Sequence, residues 1–197
     1  MNNKQFPVLV SIFVLSVSML ISCVGFIQTG GEKLEPPLYI MGQGKISADK
    51  MAGFLRQNNP AVNAANALMM ARLYIEEAAF EGVNHDIAFV QMCLETGYLK
   101  FGGDVKPEQN NFAGLGAIGG GEPGLSFPSA RIGVRAQIQH LKAYGSEAPL
   151  NGELVNPRFR FVRRGIAPTY EGLAGTWAAD RQYGVKLKAM LERLYNF

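Results

Sequence analysis

The chain has 197 residues, of which 48% are hydrophobic, and a formal net charge of +3. This length allows one domain with a sizeable core and leaves no room for a second large one. The charge is far too small for a dedicated nucleic-acid-binding protein, so no nucleic-acid partner is expected, whereas a mildly anionic polymer is compatible with it.

The first 22 residues have the order of an export signal, with a basic residue, an apolar run over residues 7–21 and then a small residue. The run is short for a stop-transfer helix, although an ordinary membrane anchor is the alternative. The tetrapeptide LISC, which ends at Cys23, resembles the lipobox of bacterial lipoproteins. The resemblance implies a signal peptide removed before Cys23 and a lipid anchor on that cysteine. In a double-membrane bacterium, Val24 implies the outer membrane, facing the periplasm.

Residues 23–45 contain five glycines and two prolines without a helical period, which is typical of a flexible tether. The folded domain is predicted to begin at Ile46 and to run to Phe197. If Cys23 is acylated, Cys93 is the one thiol left and cannot form an intramolecular disulfide. The fold must then depend on its hydrophobic core.

Helical signals follow in close succession. Ser47 is predicted to cap a short first helix. Apolar residues at spacings of three and four predict a longer second helix over residues 63–81. Asn84 is predicted to cap a third helix that stops at Gly97, which places Glu95 in its last turn.

Residues 100–129 are rich in glycine and have no sustained period, which predicts a loop or a small irregular hairpin. A segment of this length is more than a connector, so we expect it to form one wall of a site. Helical spacing returns over residues 129–145, and a last helix is predicted over residues 173–194, with Trp177 near its start. No strand pattern is evident, so the predicted fold is all-α.

Glu95 is the candidate for chemistry in the third helix. At a helix C-terminus, a carboxylate faces the negative end of the helix dipole, which disfavours the ionised form. The neighbouring apolar stripe adds desolvation in the same direction. Both effects favour a proton donor near neutral pH, as cleavage of a glycosidic bond requires, whereas the alternative is an ordinary surface glutamate.

The sequence Glu95-Thr96-Gly97, followed after a glycine-rich stretch by Asn110-Asn111-Phe112-Ala113-Gly114-Leu115, resembles the signature of the glucosaminidase-type peptidoglycan hydrolases. These enzymes form glycoside hydrolase family 73 of the lysozyme-like superfamily. The resemblance continues through Ser126-Phe127, the helix GVRAQIQHLKAY, Trp177-Ala178-Ala179-Asp180 and Tyr183-Gly184. It implies an all-α domain with a small irregular lobe. We expect a monomer that needs no cofactor.

The resemblance implies that Glu95 is the general acid of an endo-β-N-acetylglucosaminidase that cleaves β-1,4 bonds in the glycan strands of peptidoglycan. It also implies that Asn110, Asn111 and Phe112 shape the sugar cleft. The family commonly continues this turn as Phe-Gly-Ile, and the present sequence departs from that pattern. Tyr144 is predicted either to line the cleft or to lie at the edge of the core.

Many glycosidases need a second carboxylate as base or nucleophile. In the family it lies in a variable lobe after the first glutamate, where Asp104, Glu108 and Glu122 are the candidates. Glu122 matches the usual order best because it follows the Asn-Asn turn and precedes Ser126. Its alternative is a solvated loop glutamate.

Several other functions are considered beside this one. A muramidase or a lytic transglycosylase on the same fold is the nearest alternative, and a non-catalytic wall-binding lipoprotein is another.

Cys93 with His140 would fit a cysteine peptidase, but a cysteine within an apolar helix is typically unreactive. Two histidines without clustered partners predict no metal site. The letters GLGAIG match a dinucleotide pattern without the strand and helix that such a site requires.

Two further groups of residues have ordinary interpretations. Trp177 and Tyr183 are predicted to be packing residues without a catalytic role. The arginines between residues 158 and 164 are predicted to form a solvated face, with contact to peptide carboxylates or anionic lipid head groups as the alternative.

Overall fold

The computed structural model describes Met1 and residues 34–117, 119–121 and 123–197. Within these ranges the chain forms five α-helices, joined by loops and short 3₁₀ turns, and its β-bridges are isolated ones outside any strand. The helices are α1 (Ala48–Asn58), α2 (Ala64–Glu81), α3 (His85–Glu95), α4 (Ala130–Gly145) and α5 (Tyr183–Tyr195). The predicted all-α class with an irregular lobe is confirmed.

The first four helices form where the sequence predicts them. The hydroxyl of Ser47 accepts a hydrogen bond from the backbone of α1, and the side chains of Asn84 and Ser129 do the same for α3 and α4. Gly82 ends α2 with φ +74°, a left-handed conformation that glycine adopts without steric cost. Each of these signals acts within one turn of backbone, which is why sequence alone locates them.

The last helix is shorter than predicted. It begins at Tyr183, whereas the apolar spacing predicted a start near Leu173. Residues before it form a 3₁₀ turn, Tyr170–Leu173, and a loop in which Gly175 adopts φ +79° and donates to the carbonyl of Ala178. This left-handed turn stops helical propagation and places Trp177 in a loop.

The packed chain begins before Ile46. Ile40 is fully buried, its N–H donates to the carbonyl of Pro168, and its carbonyl accepts from the N–H of Asn84. The N–H of Lys45 donates to the carboxylate of Asp86. The end of the predicted tether is therefore attached to the domain through one buried side chain and several backbone bonds, and such contacts leave no periodic pattern in sequence.

The predicted signal peptide and lipid-modified cysteine lie outside the described residues. Within the part of the chain that the structure describes, no helix is long and apolar enough to cross a membrane.

Helix α3 runs through the centre of the core. All residues from His85 to Cys93 are buried, and the helix packs against α2, α4 and α5. An amphipathic surface helix would bury only one face, whereas α3 is buried on all sides between its neighbours. Glu95 thus lies at the end of a helix that is held on all sides by the core.

Candidate active site

The chain reverses direction directly after Glu95. Gly97, Tyr98 and Leu99 all have left-handed backbone angles, with φ of 56°, 61° and 61°. The left-handed conformation costs roughly 1–2 kcal/mol for each non-glycine residue. Asn59 holds the turn because its side-chain amide donates to the Tyr98 carbonyl at 2.8 Å. The turn leaves the Glu95 carboxyl at the end of a rigid helix, where the cleft opens.

Two side chains from the C-terminal part of the chain hold the Glu95 carboxyl. The indole Nε1 of Trp177 donates to Glu95 Oε1 at 3.1 Å, and the hydroxyl of Tyr183 donates to the same oxygen. Although Glu95 is accessible from the cleft, desolvation by the surrounding groups raises the pKa of its carboxyl, and the bonds from Tyr183 and Trp177 oppose that rise. The net direction is upward, as expected of a proton donor.

A buried chain of hydrogen bonds determines which way the Tyr183 hydroxyl points. The carbonyl of Ala88 can only accept a hydrogen bond. The atom of the Gln137 side-chain amide that lies 3.0 Å from this carbonyl must therefore be the nitrogen of its NH₂ group. The same NH₂ donates to Gln91 Oε1 at 2.9 Å, and Gln91 Nε2 donates in turn to the Tyr183 oxygen at 3.1 Å. Since the Tyr183 oxygen accepts a hydrogen bond from Gln91, the O–H of Tyr183 is directed at Glu95.

This chain of hydrogen bonds begins at Tyr74, before Gln137. The hydroxyl of Tyr74 donates to Gln137 Oε1 at 2.5 Å, on the opposite side of that amide from Ala88. Tyr74, Gln91 and Gln137 are all fully buried, so water does not compete for these groups. Successive donors from α2, α4, α3 and α5 therefore form one directed chain of hydrogen bonds that ends at one oxygen of Glu95.

These hydrogen bonds determine which oxygen of the Glu95 carboxyl carries the proton when the group is protonated. Oε1 accepts two hydrogen bonds, so a proton on the carboxyl resides on Oε2. Oε2 lies on the side of Gly114, where a Cβ would approach it to 3.8 Å. The protonated oxygen therefore faces the loop wall of the cleft, and the other oxygen faces the protein.

The cleft extends to both sides of Gly114 and Ala117. On one side, a cavity of about 180 Å³ contains Glu95 together with Asp104 and Asn111 on its lining. On the other side lies a second cavity of about 220 Å³, here called the Trp177 hollow, which is lined by Trp177 and the residues around it. Trp177 lines this hollow and also donates to Glu95, so the two cavities belong to one site.

Comparison with known proteins agrees with this geometry. The family model described as mannosyl-glycoprotein endo-beta-N-acetylglucosaminidase, the Glucosaminidase model, matches residues 71–196. The chain belongs to the glucosaminidase family. It is also 42% identical over 159 residues to an uncharacterized protein of Borreliella burgdorferi, a match that covers 81% of this chain and 78% of the relative. No solved structure matches the chain significantly.

The family predicted from the sequence motifs is thus confirmed, and the matched region includes α3, the loop lobe, α4 and α5. Membership supports a glycosidase that acts on peptidoglycan. Family membership alone does not specify which glycosidic bond is cleaved, which residue is the acid or whether a lipid anchor is present.

The Asn-Asn-Phe turn of the glucosaminidase domain supports the cleft wall. The amide of Asn111 donates to the carbonyls of Leu115 and Leu125 at 2.9 and 3.0 Å, and its oxygen accepts from the Leu115 N–H. Asn110 donates to the carbonyl of Phe127 at 3.0 Å. The ring of Phe112 is only 5% exposed and belongs to the main core, so it shapes the cleft from behind. Contact of these side chains with sugar stays a prediction.

A glycine in α4 allows this turn to approach the helix. A Cβ on Gly133 would lie 1.8 Å from the carbonyl oxygen of Asn110, which is far inside any possible contact. Any other residue at position 133 would therefore move the turn away from α4 and, with it, the loop wall that faces Glu95.

Tyr144 combines both of its predicted roles. It is half-buried, its hydroxyl donates to the Thr176 carbonyl at 3.0 Å, and its ring centroid lies 5.5 Å from that of Trp177. It therefore lines the hollow while its bond to Thr176 holds the loop that carries Trp177. Its contact with substrate stays a prediction.

Of the three candidates for the second carboxylate, the structure describes the positions of Asp104 and Glu108. Asp104 lines the same cavity as Glu95, and its carboxylate accepts from the N–H of Gly121 at 3.1 Å. Glu108 is exposed in the 3₁₀ turn Pro107–Gln109. Glu122 lies outside the described residues, so its assignment stays a prediction.

Cys93 is fully buried, and burial raises the pKa of its thiol well above the usual range. A thiol in this state is not a nucleophile, which argues against a cysteine peptidase. Among the described residues, no group of three or more His, Cys, Asp and Glu side chains is placed to hold a metal ion.

The sequence-based interpretation of Trp177 and Tyr183 as packing residues was incomplete. Both pack, but both also donate to Glu95, from more than 80 residues further along the chain. Gln91 could have been found, because it precedes Glu95 by four residues and so shares its helix face. No local signal connects Tyr183 to that face.

Proposed function

We propose that the protein is a lipid-anchored peptidoglycan hydrolase, an endo-β-N-acetylglucosaminidase in which Glu95 is the general acid. The supporting observation is the double acceptance at Glu95 Oε1, which leaves Oε2 as the protonated oxygen and directs it into the cleft. The raised pKa of Glu95 extends the pH range over which that proton is present, which favours a general acid.

The same contacts serve the acid after it has reacted. When Glu95 Oε2 donates its proton to the glycosidic oxygen, the carboxyl becomes a carboxylate, and negative charge develops on a group that already accepts from Trp177 and Tyr183. Hydrogen bonds to a charged acceptor are stronger than those to a neutral one. The two donors therefore stabilise the transition state more than the protonated ground state.

Mass spectrometry of muropeptides released from purified sacculi tests the proposal. Reduced N-acetylglucosamine ends are expected. Reduced N-acetylmuramic acid ends would instead assign a muramidase, and anhydro ends would assign a lytic transglycosylase. A non-catalytic wall-binding protein would sediment with sacculi and release nothing.

The identity of the second carboxylate gives a paired prediction. Asp104 lines the cavity that contains Glu95, so we expect Asp104→Asn to lower turnover on sacculi by about a hundredfold if the mechanism uses Asp104 as its second carboxylate. Asparagine retains the oxygen that accepts from Gly121, which limits damage to the loop. Turnover of Asp104→Asn and Glu122→Gln is measured side by side. A large loss at Glu122 alone would assign the role to Glu122, as sequence order predicts, and normal turnover of both would indicate a single-acid or substrate-assisted reaction.

The lipid anchor is tested independently of catalysis. Cys23→Ser is expected to abolish labelling by an alkyne fatty acid and to move the protein out of the membrane fraction, because serine cannot form the thioether that carries the diacylglyceryl group. Labelling is followed by gel fluorescence. Cys93→Ser is the matched control, since that thiol is buried and should leave labelling unchanged. An unlabelled wild-type protein would contradict the anchor.

A further inference from the structure

The Trp177 hollow contains a histidine whose free hydrogen-bond donor can be identified. The oxygen Oδ1 of Asn156 accepts from the backbone N–H of Arg158 at 2.9 Å, so the other atom of that amide, Nδ2, is the donor toward His140 Nδ1 at 2.9 Å. Nδ1 must accept, and the proton of the neutral imidazole therefore resides on Nε2. Burial and the nearby charge of Arg158 lower the pKa of His140 to about 4, so the ring is neutral at neutral pH.

The Nε2–H of His140 has no hydrogen-bond partner among the described residues, although His140 is only 8% exposed. The ring is held in place by its neighbours, with centroids 5.0 Å from Trp177 and 5.5 Å from Tyr144. His140 lines the hollow. Among the described residues every buried side-chain nitrogen and oxygen has a partner, so Nε2 is not itself enclosed and opens into the hollow, where it can donate to a ligand or to water.

Arg158 adds a positive charge to the same hollow. Its guanidinium lies 5.4 Å from the centroid of the Phe161 ring, and within the described chain it forms no ion pair. Among the described residues, no aspartate or glutamate lines the hollow. The side chains of His140 and Arg158 thus offer hydrogen-bond donors and a net positive charge without a counter-charge from the described lining residues.

We propose that the Trp177 hollow is a carboxylate-binding subsite, in which Arg158 and the Nε2–H of His140 donate to a carboxylate on the glycan polymer. This inference rests on the proposed function, because the aminosugar backbone itself is uncharged and its carboxylates belong to the lactyl group or to the attached peptide. A guanidinium and a neutral N–H together match a carboxylate with two oxygens. Because Trp177 contacts both the hollow and Glu95, the subsite would select the carboxylate-bearing sugar adjacent to the cleaved bond.

Trp177 is the single tryptophan of the chain, so its fluorescence reports occupancy of the hollow directly. Titrations use the full chain carrying Glu95→Gln, to prevent turnover, and three probes: a disaccharide tetrapeptide, the same compound with its carboxylates converted to amides, and the peptide-free disaccharide with its lactyl carboxylate. The disaccharide tetrapeptide is expected to bind about tenfold to a hundredfold more tightly than its amidated form, the range for a hydrogen bond to a charged group.

Arg158→Gln is expected to remove this preference for the carboxylate form. Arg160→Gln is the matched control, because Arg160 contacts the same Phe161 ring but does not line the hollow, and it should keep the preference. In the disaccharide tetrapeptide the lactyl carboxyl is already bonded to the peptide as an amide, so a preference for this compound over its amidated form assigns a carboxylate of the peptide. Equal binding of these two compounds, with binding of the peptide-free disaccharide that depends on Arg158, would assign the lactyl carboxylate.

The subsite is overturned by a preference that is unchanged in Arg158→Gln or by the absence of a fluorescence change with any probe. It is also overturned if the charged and amidated probes bind equally and binding of the peptide-free disaccharide does not depend on Arg158. Cleavage of sacculi by the wild-type protein is measured separately. A protein that cleaves sacculi but shows no carboxylate preference refutes the subsite alone, whereas a protein that releases no fragments refutes the proposed function.

Discussion

Glu95→Gln is expected to reduce release of fragments from sacculi by about a hundredfold or more, the scale of losing a general acid. Glutamine retains the oxygen that accepts from Trp177 and Tyr183 and replaces the protonated Oε2 with an amide of similar volume. The fold should persist, while no group of ordinary acidity remains to protonate the leaving oxygen. Fragment release is measured by mass spectrometry, and folding by thermal denaturation.

Glu108→Gln is the control for this experiment, because Glu108 is exposed in the loop lobe and does not line the cavity that contains Glu95. It should retain normal turnover. Activity of Glu95→Gln close to that of the wild type, in a protein shown to be folded, would refute Glu95 as the acid.

Tyr183→Phe is expected to lower turnover by roughly tenfold to a hundredfold, the range for losing one hydrogen bond to a charged group. The substitution removes a donor to Glu95 and leaves the buried amide of Gln91 without its acceptor. The tyrosine bond lowers the pKa of Glu95, so its loss should raise that pKa further. A general acid is active while protonated, and the alkaline limb of the pH–rate profile should therefore move to higher pH.

Tyr195→Phe separates positioning from stability. Tyr195 lies in the same helix, is also buried, and donates to the carboxylate of Asp86 at 2.7 Å, outside the cleft. Both variants are expected to lower the thermal midpoint, but only Tyr183→Phe should move the alkaline limb. If that limb stays at the wild-type pH in Tyr183→Phe, the hydrogen bond does not tune the acid.

Elements governed by local chemistry were predictable. The predicted caps at Ser47 and Asn84 satisfy backbone donors within three residues, and the apolar spacing that predicted α2 and α4 repeats within each single helix. The start of α5 was predicted wrongly because apolar spacing extends the helical pattern back to Leu173, through Gly175. The helix begins only at Tyr183, and this start depends on hydrogen bonds within the folded loop.

The sequence by itself determined the four earlier helices, the family, and Glu95 at a helix end, because caps, periodicity and motif order are properties of neighbouring residues. Only the tertiary structure decided which groups act on that carboxyl. Trp177 and Tyr183 reach it from a distant loop and from α5, and the buried amides of Gln91 and Gln137 orient the tyrosine proton. Hydrogen-bond direction depends on which acceptor lies opposite each donor across packed helices, and that information exists only once the helices have come together.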